Sequence, residues 1–142
     1  MVGNFSAMMA GSLGLEEPWH IERAAFDAEE LAVRIYVSVR RRAALAGPSA
    51  GAKQNATATK NERVCRHGDM LFHPCYIHAR RPKVLCSKCG SKQVNAPFER
   101  RNSRFTLLLE GYAMMILADM PVSKTVAVLR CDEKSLVIRI ST

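Results

Sequence analysis

The chain has 142 residues, 48% hydrophobic and only 6% aromatic, which excludes compositional disorder and points to an aliphatic core in one ordinary domain or two very small ones. Its 21 lysines and arginines against 13 acidic residues leave a net charge of +8, a balance that favours polyanionic partners through counterion release, with plain solubility as the alternative use of the charge. No stretch reaches the roughly 18 apolar residues of a membrane span, and the apolar patch Phe5 to Leu15 lacks the preceding basic residue of a secretory signal, so a cytoplasmic, membrane-free protein is expected.

In chain order, residues 1–30 read as a lead-in, with a turn at Phe26-Asp27-Ala28. Leu31, Val33, Ile35, Val37 and Val39 then alternate with Ala32, Arg34, Tyr36 and Ser38, and this period of two with β-branched residues predicts a half-buried strand ending at Arg40-Arg41-Arg42. Residues 43–62 are small and polar, without periodicity, and read as a linker or irregular loop, long for a compact domain. Two short strands are predicted next, Cys75 to Ala79 and Lys83 to Cys86, with a turn at Arg80-Arg81-Pro82 between them and a further strand at Val94 to Phe98.

From Phe105 the period becomes helical, through Leu108, Leu109, Tyr112, Met115 and Ile116, with Ser103 as the expected N-cap. Pro121 breaks that helix. A second is predicted over Val122 to Leu129, a tight turn at Arg130-Cys131-Asp132, and a last short helix over Glu133 to Ser141 with Leu136, Val137 and Ile140 inward. The domains expected are therefore 1–42, a lead-in and strand; 43–64, irregular; 65–98, a degenerate zinc ribbon; and 103–142, helical. The fold class is α+β.

Five cysteines, Cys65, Cys75, Cys86, Cys89 and Cys131, read in a reducing compartment as metal ligands or buried thiols before disulfides. Cys86-x-x-Cys89-Gly90 after a strand is one half of a zinc ribbon: the turn brings both sulfurs to one side, and the glycine permits the positive φ of the knuckle. Structural zinc needs four ligands. Cys65-x-His67 stands at ribbon-like distance as one source of the missing pair, whereas on a strand Cys75 and His78 point to opposite faces. The alternative is that none binds metal and Cys75 is a small core residue.

Leu13-Gly14-Leu15-Glu16-Glu17-Pro18-Trp19, Arg66-His67-Gly68, Cys75 through Val84, Cys86-x-x-Cys89-Gly90 and Phe105-Thr106 follow one another in an order that resembles the N-terminal region of the ISL-three type of bacterial insertion-sequence transposases. The resemblance covers nearly the whole chain except residues 43–62. It implies a zinc ribbon, then a helix-turn-helix that binds DNA, then a DDE catalytic domain with divalent metal. The chain departs from the pattern in three ways. The first CxxC is missing where residues 43–62 stand, Cys65 replaces a usual tryptophan, and Thr142 comes before any catalytic carboxylates. Family members with four ribbon cysteines keep a histidine like His67, which weakens it as a ligand.

Residues 43–62 admit a particular origin. With GC-rich codons, Gly47 to Lys53 read two nucleotides later becomes Pro-Val-Cys-Gly-Arg-Glu, the second half of a family-like knuckle. The alternative is a true insertion of linker composition, and the nucleotide sequence decides between them.

A tri-helical DNA reader presents a basic, exposed recognition face to the major groove. Its expected DNA-binding residues here are Lys124, Thr125, Arg130, Lys134, Ser135 and Arg139, with Arg101 and Arg104 (and Arg100 beside them) upstream on phosphates. A plain helical hairpin with a solvated basic face is the competing reading. The expected metal ligands are Cys86 and Cys89, with zinc as the implied cofactor and an incomplete ligand set. No catalytic residues are expected, since no nucleophile–base pair or phosphate-binding glycine loop stands out. The expected function is a truncated transposase fragment that binds transposon ends without strand transfer; the alternative is a small zinc-ribbon, helix-turn-helix regulator.

Overall fold

The computed structural model describes residues 2–40, 44–46, 53–57, 62–86, 90–100, 103–132, 134 and 136, and its class is α+β. Helix α1 (Val2–Leu13) opens the chain and strand β1 (Trp19–Asp27) follows, where the sequence reading expects only a lead-in. The glycines and serines that dilute α1 hide it: Met9 and Leu13, four apart, are the positions it buries.

Strand β2 (Ala32–Val39) is the predicted alternating strand. It pairs antiparallel with β1 and parallel with β6 (His73–Arg80), which pairs antiparallel with β5 (Glu62–Met70), giving the order β1-β2-β6-β5. One face of this sheet holds the core: Ile35, Val37, Cys65, Cys75, Ile77 and Ala79 are buried with Met9, Leu13, Trp19, Ala96 and Phe98. Leu31, expected on the same face, instead lies in the β1–β2 turn at φ 51° and is exposed.

A second sheet has the order β3-β4-β7-β8, all antiparallel: β3 (Ala44–Ala46), β4 (Lys53–Thr57), β7 (Lys83–Cys86) and β8 (Gly90–Gln93). Two expectations change here. Strands β3 and β4 occupy the segment read as irregular; three to five residues are too few to register a periodicity. Residues 65–98, read as one ribbon, are divided between the two sheets: β5 and β6 belong to the first, β7 and β8 to the second. The strand expected at Val94 to Phe98 is an extended segment and turn, fastened by Val94 N–H to the Pro82 carbonyl (2.9 Å) and Ala96 N–H to Glu99 Oε1 (2.8 Å).

Among the described residues no helix is long and apolar enough to cross a membrane.

Candidate nucleic-acid interface

The helical part begins as an addition to the sheet. The Arg66 N–H donates to the Arg104 carbonyl (2.6 Å), Thr106 N–H to the Arg66 carbonyl (2.9 Å) and Leu107 N–H to the Phe98 carbonyl (2.8 Å). This backbone stitching covers the edge of β5 that would otherwise stand open. Thr106, not Ser103, caps helix α2 (Leu107–Leu117): its hydroxyl oxygen accepts from Leu109 N–H (3.3 Å) and is hydrogen-bonded to His67 Nδ1 (2.8 Å). Ser103 makes a smaller turn of its own, accepting from Phe105 N–H (3.2 Å).

Helix α3 (Val122–Leu129) has the predicted bounds, and its last turn closes on Arg130 in the left-handed conformation, φ 52°. Phe105, Leu109, Ala113, Leu129 and Leu136 bury one another, with Ile116, Leu117, Val122, Val126 and Cys131 around them. Leu136 is therefore inward, as expected, and its N–H donates to the Asp132 carbonyl (3.4 Å). The rest of the expected third helix, with Ser135, Val137, Ile140 and Arg139, lies outside the described residues.

Of the expected DNA contacts, Lys124, Lys134 and Arg104 are exposed. Thr125 is not: it is fully buried, and its hydroxyl donates to the Pro121 carbonyl (3.1 Å). The reason is helical phase, since Val122, Thr125, Val126 and Leu129 share the inward face at spacings of three and four. Arg130 is also committed elsewhere. Its guanidinium pairs with Asp69 (Nε to Oδ2, 3.1 Å) and donates to the Phe72 carbonyl, so it clamps the end of α3 to the β5–β6 hairpin. Arg100 pairs with the buried Glu110 (3.5 Å), and Arg101 lies outside the described residues.

Asp69 is the pivot of that clamp. Arg66, only 8% exposed, reaches it at 2.5 Å and also donates to the Leu129 carbonyl (3.2 Å). Burial works against ionisation of Asp69, but hydrogen bonds from Arg130 and Arg66 outweigh it and hold the carboxyl below its ordinary range. Between sheet and helices lies a cavity of about 380 Å³ lined by Arg66, Tyr76, Arg104, Arg130 and Asp132, among others.

The cysteines sort by sheet. Cys65 and Cys75 are fully buried in the first sheet's core. Burial, reinforced at Cys65 by Glu99, pushes both thiols up to about 11. His67 Nδ1 is hydrogen-bonded to the Thr106 hydroxyl. Cys65 and His67 lie on β5, in the first sheet rather than the sheet that carries Cys86. Cys86 ends β7 and Cys89 lies outside the described residues. Residues 47–52, between β3 and β4 in sequence, are Gly-Pro-Ser-Ala-Gly-Ala and include no Cys, His, Asp or Glu. Among the described residues no group of three or more His, Cys, Asp or Glu could hold a metal.

The sequence reading overlooked the outer face of the first sheet. There Arg23 lies 3.8 Å over the Tyr36 ring, Tyr36 stacks on His78 at 4.6 Å, and Arg34 and Arg66 lie 5.1 and 5.7 Å from the Tyr76 centroid. The signal was present: Arg34 and Tyr36 are the polar half of the β2 alternation, and Tyr76 and His78 are their partners in register. Asp27 and Glu30 pair with Arg34, and Glu62 is hydrogen-bonded to His78 Nδ1, so the face is a packed polar layer.

Residues 52–89 match the family described as zinc-finger of transposase IS204/IS1001/IS1096/IS1165. The chain thus carries a transposase-type zinc-ribbon segment. No curated protein and no solved structure matches the chain.

Proposed function

We propose that this protein binds DNA through its helical part, as the DNA-recognition portion of an insertion-sequence transposase of the ISL-three type, with the ends of the element as its target. The observation that carries the reading is the arrangement α2, turn, α3, left-handed Arg130, inward Leu136. We read it as the scaffold of a helix-turn-helix, with Lys124 and Lys134 outside its core. The transposase-type ribbon beside it supports the same reading.

The contacts assigned are phosphate contacts from Lys124, Lys134 and Arg104, joined by Arg101, Ser135 and Arg139. Thr125 and Arg130 act from behind, fixing the helices that present them. The ribbon contributes a folded sheet with a two-cysteine half-site, whose zinc affinity falls far below that of a four-ligand site. Strand-transfer chemistry has no place in this reading. Asp69, Glu99 and Glu110 are each held by arginines at separate points of the fold.

A gel-shift series tests the proposal. The protein should retard duplex DNA at low salt, and Lys124→Ala with Lys134→Ala should weaken the shift at least tenfold. Retardation untouched by both substitutions contradicts the helical part as the binding surface.

A further inference from the structure

Helix α2 is inside out. Its one charged residue, Glu110, is turned inward and is 3% exposed, held by Arg100. Its outward positions are Leu107, Leu108, Gly111, Tyr112, Met114 and Met115, with the large side chains 39–63% exposed and not one charge among them. A helix that is hydrophobic all round belongs in an interior. Here half of it faces water.

From this we propose that the outer face of α2 is a self-association surface, on which a second copy of this chain packs its own α2 antiparallel about a two-fold axis. The choice of occupant follows from charge. No lysine or arginine lies within Leu107–Leu117, so a nucleic-acid backbone finds no partner there. A charged peptide finds no complement either. An uncharged apolar face is matched by itself.

The geometry supports a two-fold contact. Gly111 sits mid-face with open space where a Cβ would be, which lets two backbones approach closely. In an antiparallel pairing centred on Gly111 and Tyr112, Leu108 of each copy meets Met115 of the other, as an isologous interface requires. A dent of about 180 Å³ beside Leu107 and Leu108, lined also by Gly11, Leu13, Pro97 and Phe98, offers a socket for an incoming methionine. The face amounts to roughly 500 Å² per copy, or about 1,000 Å² in all, at the lower bound of specific interfaces.

Sedimentation equilibrium of the full chain without DNA, from about 1 to 200 μM, tests this. The mass should rise from one chain to two with a midpoint on the order of 10 μM. Tyr112→Glu and, separately, Met115→Lys should each weaken association at least tenfold, with an unchanged circular dichroism spectrum. Leu71→Ser, at an exposed apolar site on the β5–β6 hairpin, should leave it unchanged and so separates this face from general stickiness. A monomer throughout the range overturns the proposal. So does a dimer that survives Met115→Lys, or one that Leu71→Ser dissolves equally. If Tyr112→Glu does not fold, Met115→Lys decides alone. Loss of DNA binding in the gel-shift series leaves this result untouched, because no DNA is present.

Discussion

Replacing Asp69 with alanine tests whether the helical part and the first sheet are fastened as one body. Asp69 accepts from Arg66 at 2.5 Å and from Arg130 at 3.1 Å, and is itself 29% exposed. Its removal leaves the Arg66 guanidinium, nine-tenths buried, with the carbonyls of His67 and Leu129 and the Tyr76 ring to face. Stripping the partner from a fully buried ion costs about 3–5 kcal/mol. The partial exposure of Asp69 and the half-exposed Arg130 lower that to about 2–3 kcal/mol. For a chain of this length the melting temperature should fall by roughly 6–12 °C. Urea unfolding followed by Trp19, the sole tryptophan and a core residue, gives the same quantity directly. The acid limb is a second readout. Since the folded carboxyl titrates below its ordinary range, its contribution is complete above about pH 4 and is lost as pH falls through the folded value. Asp69→Ala should flatten that limb. A loss below about 0.5 kcal/mol with an unchanged acid limb refutes the clamp.

Further consequences are equally concrete. Leu71 and Phe72 form the tip of the β5–β6 hairpin with φ values of 51° and 67°, a conformation that disfavours their side chains, and they are 83% and 90% exposed. Leu71→Asn with Phe72→Gly should therefore raise stability by about 1–2 kcal/mol in thermal unfolding; a loss means the pair packs against something. His67 is held below the ordinary imidazole range by burial and then by Arg66. Stability present above about pH 6.5 should drain away as the pH falls through the folded value, and His67→Gln should remove that slope from a series of urea midpoints. Cys65 and Cys75 should resist a thiol reagent at pH 7.5 until the chain unfolds, and fast labelling of either in the native protein would contradict their burial as protonated thiols.

What the sequence disclosed follows from how local each signal is. Strand β2 and helices α2 and α3 were legible because their apolar positions recur at one period over eight residues or more. Helix α1 and strand β1 were not. Small residues dilute the first, and β1 turns one long side exposed, so its pattern carries little apolar contrast. Strands β3 and β4 are made by pairing, β3 with β4 and β4 with β7, rather than by composition, which no local window reports. The candidate site divides in the same way. Lys124, Lys134 and Arg104 face solvent as their helical or loop positions suggest. The burial of Thr125 was readable from the phase of α3, where it falls between Val122 and Val126. The engagement of Arg130 was not, because its partners Asp69 and Phe72 lie about 60 positions upstream. The Cys86-x-x-Cys89 pair reads as half of a metal site, and Cys89 lies outside the described residues. That Cys65 and His67 belong to a different sheet required the topology.

The central claim is that the exposed cations of the helical part bind DNA phosphates. Fluorescence anisotropy of a labelled duplex, titrated with the full chain between about 50 and 300 mM salt, tests it most directly. Three to five phosphate contacts predict a slope of about −3 to −4.5 for log affinity against log salt. Removing Lys124 should reduce that slope by about one. Absence of binding at the lowest salt, or an affinity indifferent to salt, contradicts the account.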